Sequence, residues 1–214
     1  MSAHKQHDNL VWIDLEFTQL DPTQGFIMQA AMIVTTAQLQ PLPTAEGDTR
    51  GLLFDVQLTP AQAETASEWV QQHQQKQLQR SLSPSATPLA DVAAAFEAYV
   101  ASTCERSAKD IRLRPLLAGN SVHGDQRYLQ QHMPQLLEGL SFRLLDVTSI
   151  KELARRWCPK LEFQKSEQAI RDHYPGDAQL TGTTHDALYD IKASIAELHF
   201  YRQKIFAEVA RAQA

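Results

Sequence analysis

The stretch Leu10–Thr18, LVWIDLEFT, puts two carboxylates, Asp14 and Glu16, inside a run that otherwise reads as a buried β-strand. Side chains alternate faces along a strand, so positions i and i+2 point the same way and the two acids converge on one side of a sheet. Burying two like charges together is costly. A divalent cation between them removes that cost, because hard metal ions take clustered oxygen ligands and cancel their repulsion. The simpler alternative is a strand whose acids face water. The stretch alone leaves both readings open, and the choice depends on whether more acids gather at the same place.

A chain of 214 residues with 43% hydrophobic content is long enough for one sizeable core and fits a single α/β domain. The expected organisation is a short tail over 1–8, the domain over 9–206 and a second tail over 207–214. Cys104 and Cys158 fit neither a disulfide framework nor a zinc motif, so reduced thiols are expected. The opening MSAHKQHDNL lacks the apolar core of a signal peptide, and no later run is long and apolar enough to span a bilayer. The expectation is a soluble cytoplasmic protein without a membrane partner. A net charge of −5 argues against a broad basic face that grips a long nucleic acid, so a nucleic-acid substrate would be short.

Outward from the first strand, Phe26–Thr35 is a second apolar run, separated from it by the turn residues DPTQG, and Gly51–Thr59 reads as a third strand after a Pro-containing loop. Together they predict an antiparallel meander. Glu64–Leu82 is helical in composition, and its run QQHQQKQLQ reads as a solvated helix face or loop. SPSATP then breaks the chain before the helical LADVAAAFEAYVAS. The second half alternates: strand RPLLAGNS, helix DQRYLQQHM, strand FRLLDVT, helix SIKELARRW, and a long amphipathic helix from Thr184 to Phe206. Residues 158–182 carry no clear periodicity. A meander followed by β-α-β-α predicts one mixed sheet flanked by helices.

Asp125 follows the GNSVHG turn, where open α/β sheets place ligand-contacting residues; an ordinary helix N-cap is the alternative. Asp190 falls in the last helix, five residues after His185. Five helical steps rotate by about 500°, so the two cannot share a face inside one helix, and His185 belongs before the helix or at its first residue. Gly182, with Thr183 or Thr184 as a cap, makes that geometry reasonable, although an isolated histidine there could be an ordinary surface residue.

Asp and Glu on one strand, Asp after a later strand, then His and Asp five apart form the ordered signature of the DEDDh exonucleases. WIDLEFTQLDP, LLAGNSVHGDQRYLQQHMPQL, RLLDVTSIKELARRW and THDALYDIKASIAELHFYR together resemble the oligoribonucleases of that group, from Leu10 to Arg202. The resemblance implies a ribonuclease H-like fold and a 3′-to-5′ exoribonuclease acting on very short single-stranded RNA, dinucleotides above all, to release nucleoside 5′-monophosphates. It further implies that Asp14, Glu16, Asp125 and Asp190 bind two Mg²⁺ or Mn²⁺ ions and that His185 is the general base. Leu20 and Trp69 would meet the bases. Ser121, Thr148 and Arg143 would meet the 5′ phosphate, Arg143 coming from the partner subunit of a homodimer. The alternatives are a DEDDh exonuclease acting on DNA or structured RNA ends, and a noncatalytic nucleic-acid-binding relative. The chain departs from the family at Gln19 in place of a glycine, at Gln29 in place of an acid, and at Tyr189 before Asp190. It also departs in the Gln-rich run and in the long 158–182 connection.

Overall fold

The computed structural model describes residues 8–177, 179–180 and 185–207. β1 (Leu10–Phe17) is the central strand of a five-stranded sheet ordered β3-β2-β1-β4-β5; β2 is Ile27–Thr35, β3 Leu52–Asp55, β4 Leu116–Gly119 and β5 Leu144–Asp146. The first three strands form the expected antiparallel meander. β4 pairs parallel to β1, and β5 parallel to β4. Parallel neighbours need long crossovers, and helices fill them here. All nine residues of β2 are buried, as expected of a strand covered on both faces.

Three short helices, α1 (Pro60–Ala63), α2 (Glu68–His73) and α3 (Gln75–Ser81), follow the meander. α4 (Leu89–Thr103), α5 (His123–His132) and α6 (Pro134–Glu138) cover one face of the sheet through Phe96, Tyr99, Leu129 and Leu136. α7 (Val147–Trp157), α8 (Glu167–His173) and α9 (Ala187–Tyr201) cover the other through Ala154, Ile170, Ile191 and Ile195. Strand alternation decides which side each β1 residue serves. Val11, Ile13 and Leu15 pack toward α4–α6, while Leu10 and Trp12 pack toward α9. Asp14 and Glu16 continue the second series and so lie on the α9 side.

Several elements differ from expectation. The helix expected over 64–82 is divided, because Ser67 caps a new helix by accepting the Val70 N–H and donates its own N–H to the Thr18 carbonyl at 2.8 Å. The third strand ends at Asp55 rather than Thr59, where Thr59 caps α1. α9 is shorter than the expected 184–206 helix: its N-cap is Asp186, and Arg202–Phe206 continue as a π-helical turn. The expected tails lie, but for Asp8 and Ala207, outside the described residues, as do Gly182, Thr183 and Thr184. The described part of the 158–182 connection forms a 3-10 turn at Pro159–Leu161 and then α8, whose Ile170 joins Phe163 and Tyr174 in the α9 core. Among the described residues no helix is long and apolar enough to cross a membrane.

The loop after β1 is closely tied to the fold. Thr18 exchanges backbone hydrogen bonds with Phe26 and Ser67, and the Tyr128 hydroxyl donates to the Gln19 carbonyl. A Cβ on Gly25 would sit 1.9 Å from that hydroxyl. Gly25→Ala is therefore expected to cost about 1–3 kcal/mol of stability through overpacking, measured by denaturant unfolding.

Candidate active site

Parallel pairing of β1 with β4 stops at Trp12, opposite Ala118, whereas antiparallel pairing with β2 runs on to Phe17. Past Trp12, then, one edge of β1 lacks a strand neighbour. Asp125, in the first turn of α5 and only 7% exposed, fills that gap: its Oδ1 accepts the Leu15 N–H at 2.9 Å. The N-cap of α5 is Val122, so Asp125 is no cap. Its carboxylate is fixed against the backbone between Asp14 and Glu16.

Asp190 enters from α9. Its Oδ2 accepts the His185 N–H at 3.0 Å, which pins the residue before the helix to the helix itself. His185 is exposed and adopts φ 70°, a left-handed conformation uncommon for a residue with a Cβ and often found where function constrains the chain. Its ring lies 5.6 Å from Trp69 in an edge-on contact. Glu16, His185 and Asp190 offer ligand atoms that all lie within 4.8 Å of one another.

Electrostatics point the same way. Burial pushes the Asp14 carboxyl well above its usual range, and Asp125, Asp190 and Glu16 push it further, while Lys165 opposes them. Burial raises Glu16 from 4.5 to about 7 against a lowering hydrogen bond from Gln74, with Asp190 and Asp186 adding to the rise. Burial likewise raises Asp125, and hydrogen bonds from Leu15 and from its own backbone resist. Among the described residues the group with ligand atoms close enough to share a metal ion is Glu16, Asp190 and His185, and Asp14 and Asp125 lie outside it while coupling to it electrostatically. Oxygen ligands of this kind suit a hard divalent cation.

Glutamines buttress these groups. Gln29 faces Glu16 across the β1–β2 pair; its Oε1 accepts the Ala187 N–H at 2.8 Å, and its Nε2 donates to Asp55 and to Gln77. Gln77 in turn donates to the Met28 carbonyl and to Asp55 and accepts from Arg80. Gln29 therefore ties β2 to the first residue of α9, next to His185 and Asp190. Gln74 donates to Glu16. The Gln-rich run is thus not merely a solvated face, because Gln74 and Gln77 are buried against the site while their neighbours face water. Their spacing of three, one helical turn, is the only trace of this in the sequence. Sequence reading also missed Glu197, wholly buried on α9, which accepts from Asn120 at 3.1 Å and lies 3.7 Å from Lys151 and 3.9 Å from Lys165.

The expected substrate residues fall into three places. Leu20, 82% exposed, and Trp69, 48% exposed, line an apolar cleft of about 320 Å³ with Glu16, Phe17, Val70 and Gln74. Neither is a core residue. Ser121, at φ 52°, and Thr148 meet at 3.2 Å between hydroxyls, and both backbone N–H groups donate to Asp146 at 2.9 Å. They open into a separate cleft with His123 and Arg156. Arg143 lies outside that cleft, exposed, with its guanidinium 5.6 Å from the Phe142 ring centre.

The exonuclease family of the RNase T type matches residues 11–198. An oligoribonuclease of Pseudomonas syringae pv. tomato is 37% identical over 197 residues, which cover 91% of this chain and 94% of that one. The chain belongs to the oligoribonuclease family of exonucleases. The mitochondrial oligoribonuclease of Mus musculus is 35% identical, over 92% of this chain and 73% of its own. Among solved structures, an E. coli exonuclease I–single-stranded DNA complex superposes with a TM-score of 0.62 at 14% identity, covering 96% of this chain and 43% of that one. Exonuclease I of Methylocaldum szegediense gives 0.59 at 18% identity, over 92% of this chain and 41% of its own. At such identities these structures speak for the fold, a ribonuclease H-like mixed sheet.

A pH dependence follows. Without a bound cation the folded state holds protons on Glu16 between pH 4.5 and about 7 that the unfolded chain has released. Stability then falls as pH rises through that window. Chelated protein is expected to show a lower Tm at pH 8 than at pH 5, and added Mn²⁺ to restore Tm most at pH 8.

Proposed function

We propose that this chain is a 3′-to-5′ exoribonuclease that hydrolyses very short RNA, dinucleotides above all, to nucleoside 5′-monophosphates. The observation that carries the reading is the grouping of Glu16, Asp190 and His185 at the end of β1 and the start of α9, with Asp14 buried near them and Asp125 bonded to Leu15 between Asp14 and Glu16. The family to which the chain belongs, and relatives named oligoribonuclease over nine-tenths of its length, support it.

Two divalent cations, Mg²⁺ or Mn²⁺, would be held by the four carboxylates and would supply charge stabilisation at the phosphoryl group and a more acidic attacking water. The protein's own groups do the rest. Asp14, buried on the same face of β1 as Glu16, would be a further carboxylate ligand for them. His185, exposed at the mouth and steadied by Asp190 and Trp69, takes the proton of the attacking water on its imidazole. Trp69 and Leu20 offer apolar surface to the bases, as aromatic platforms do for single strands. Ser121 and Thr148 present hydroxyls to the terminal 5′ phosphate. Arg143 would join them from the partner of a homodimer, where its planar fork suits a phosphate; its place outside the cleft of its own chain supports that origin. A cytoplasmic location belongs to the same reading.

An exonuclease acting on DNA or structured RNA ends is the second reading, favoured by the fold shared with exonuclease I. Initial rates on 5′-phosphorylated RNAs of graded length, with DNA counterparts, separate the two. Dinucleotides are expected to be cleaved fastest, and Arg143→Ala to flatten the dependence on length. Efficiency equal or rising with length would refute the short-substrate reading. Asp14→Asn and Asp190→Asn are expected to abolish activity while leaving the fold intact by circular dichroism. His185→Ala should lower turnover by about 10²–10⁴-fold while Mn²⁺ binding persists; lost Mn²⁺ affinity would make His185 a ligand instead of a base.

A further inference from the structure

We propose that Gln74 is a positioning residue for Glu16, kept there for catalysis at the expense of stability. The proposal rests on the active-site reading above. Gln74 joins α2 to α3 at φ −120° and ψ 26°, outside helical geometry, and is 6% exposed. Its Nε2 donates to Glu16 Oε2, while its own Oε1 is buried and has no hydrogen-bond partner among the described residues. An ionised carboxylate only accepts, so the amide must turn its nitrogen to Glu16, and its oxygen is left inside the protein. The residues lining the adjoining cleft include Phe17, Leu20, Trp69 and Val70.

Gln77, three residues on in the same run, shows what a glutamine selected for folding looks like. Both ends of its amide are satisfied, by Gln29 and Arg80 on the oxygen and by the Met28 carbonyl and Asp55 on the nitrogen. A buried acceptor without a partner weakens a fold, and an apolar side chain of similar length at Gln74 would remove the defect. What such a change would lose is the hydrogen bond to Glu16. That bond commits one carboxylate oxygen and limits where the group can swing, which favours one orientation toward His185 and Asp190. Charge-assisted hydrogen bonds of this kind are short and directional, which suits a ligand that must be held in place before any cation arrives.

The test uses Gln74→Leu and Gln74→Met in the full chain, with Glu16→Gln as reference. Three quantities are measured: Tm without metal, Mn²⁺ affinity by titration calorimetry without RNA, and kcat and KM on a 5′-phosphorylated RNA dinucleotide. For both Gln74 variants the expected result is a Tm equal to or above that of the parent, Mn²⁺ affinity reduced several-fold, and kcat reduced by about tenfold, in line with one hydrogen bond to a charged group. Unchanged Mn²⁺ affinity and kcat would overturn the proposal. So would a Tm that falls in both variants, since Gln74 would then be a structural residue. If the parent protein shows no metal-dependent hydrolysis, the active-site reading itself fails. If the parent is active and Glu16→Gln is not, normal Gln74 variants overturn only the role given to Gln74.

Discussion

Asp14, Glu16 and Asp125 are held near one another despite their mutual repulsion, and much of the surrounding structure is arranged to make that possible. The arrangement starts from a mismatch in strand length. β1 outruns its parallel neighbour β4 beyond Trp12 but stays paired with β2 as far as Phe17, so its last turns of pleat are held on one edge and open on the other. An unpaired buried N–H is expensive, and Asp125 relieves it at Leu15. The same hydrogen bond that completes the sheet therefore brings a third acid to Asp14 and Glu16. Burial raises the pKa of all three, so each resists ionisation where it stands.

The fourth acid and the histidine depend on how α9 begins. Asp190 accepts the His185 N–H, and Gln29 accepts the Ala187 N–H, so the strand opposite Glu16 and the helix that carries Asp190 are locked to the same short segment. As a neutral amide, Gln29 can donate as well as accept. It bonds Asp55 and Gln77 from its nitrogen while serving Ala187 from its oxygen. A carboxylate could not do both beside Asp55, since it would meet another anion. The neutral residue in β2 and the buried Gln77 of α3 are in this sense one adaptation.

Much of the fold was legible because period and punctuation are strong in the relevant stretches. The meander could be read from the DPTQG turn and the apolar runs beside it, and β4-α5 and β5-α7 from apolar runs followed by helical ones. Boundaries were less legible. Thr59 and Ser67 start helices by accepting the N–H three residues on, and Asp186 starts α9 with no side-chain cap bond, so these starts rest on local motifs that many Ser, Thr and Asp positions could equally offer. The connection over 158–182 resisted reading because α8 buries little more than Ile170 on its own, and its place comes from packing with Phe163 and Tyr174 against α9.

For the site, the sequence by itself determined that Asp14 and Glu16 share a face, since strand alternation is local geometry, and that His185 and Asp190 could face one site only with His185 before the helix or at its first residue, since a helical rotation of five steps turns them apart. Those statements need only a few bonded residues. Tertiary structure alone decided that this face meets α9, that Asp125 bonds Leu15 across 110 positions, and that Gln74 and Gln77 turn inward from a polar run. Residues far apart in the chain meet only when the sheet is assembled and the helices are packed. No local pattern encodes a contact whose two halves fold in different elements.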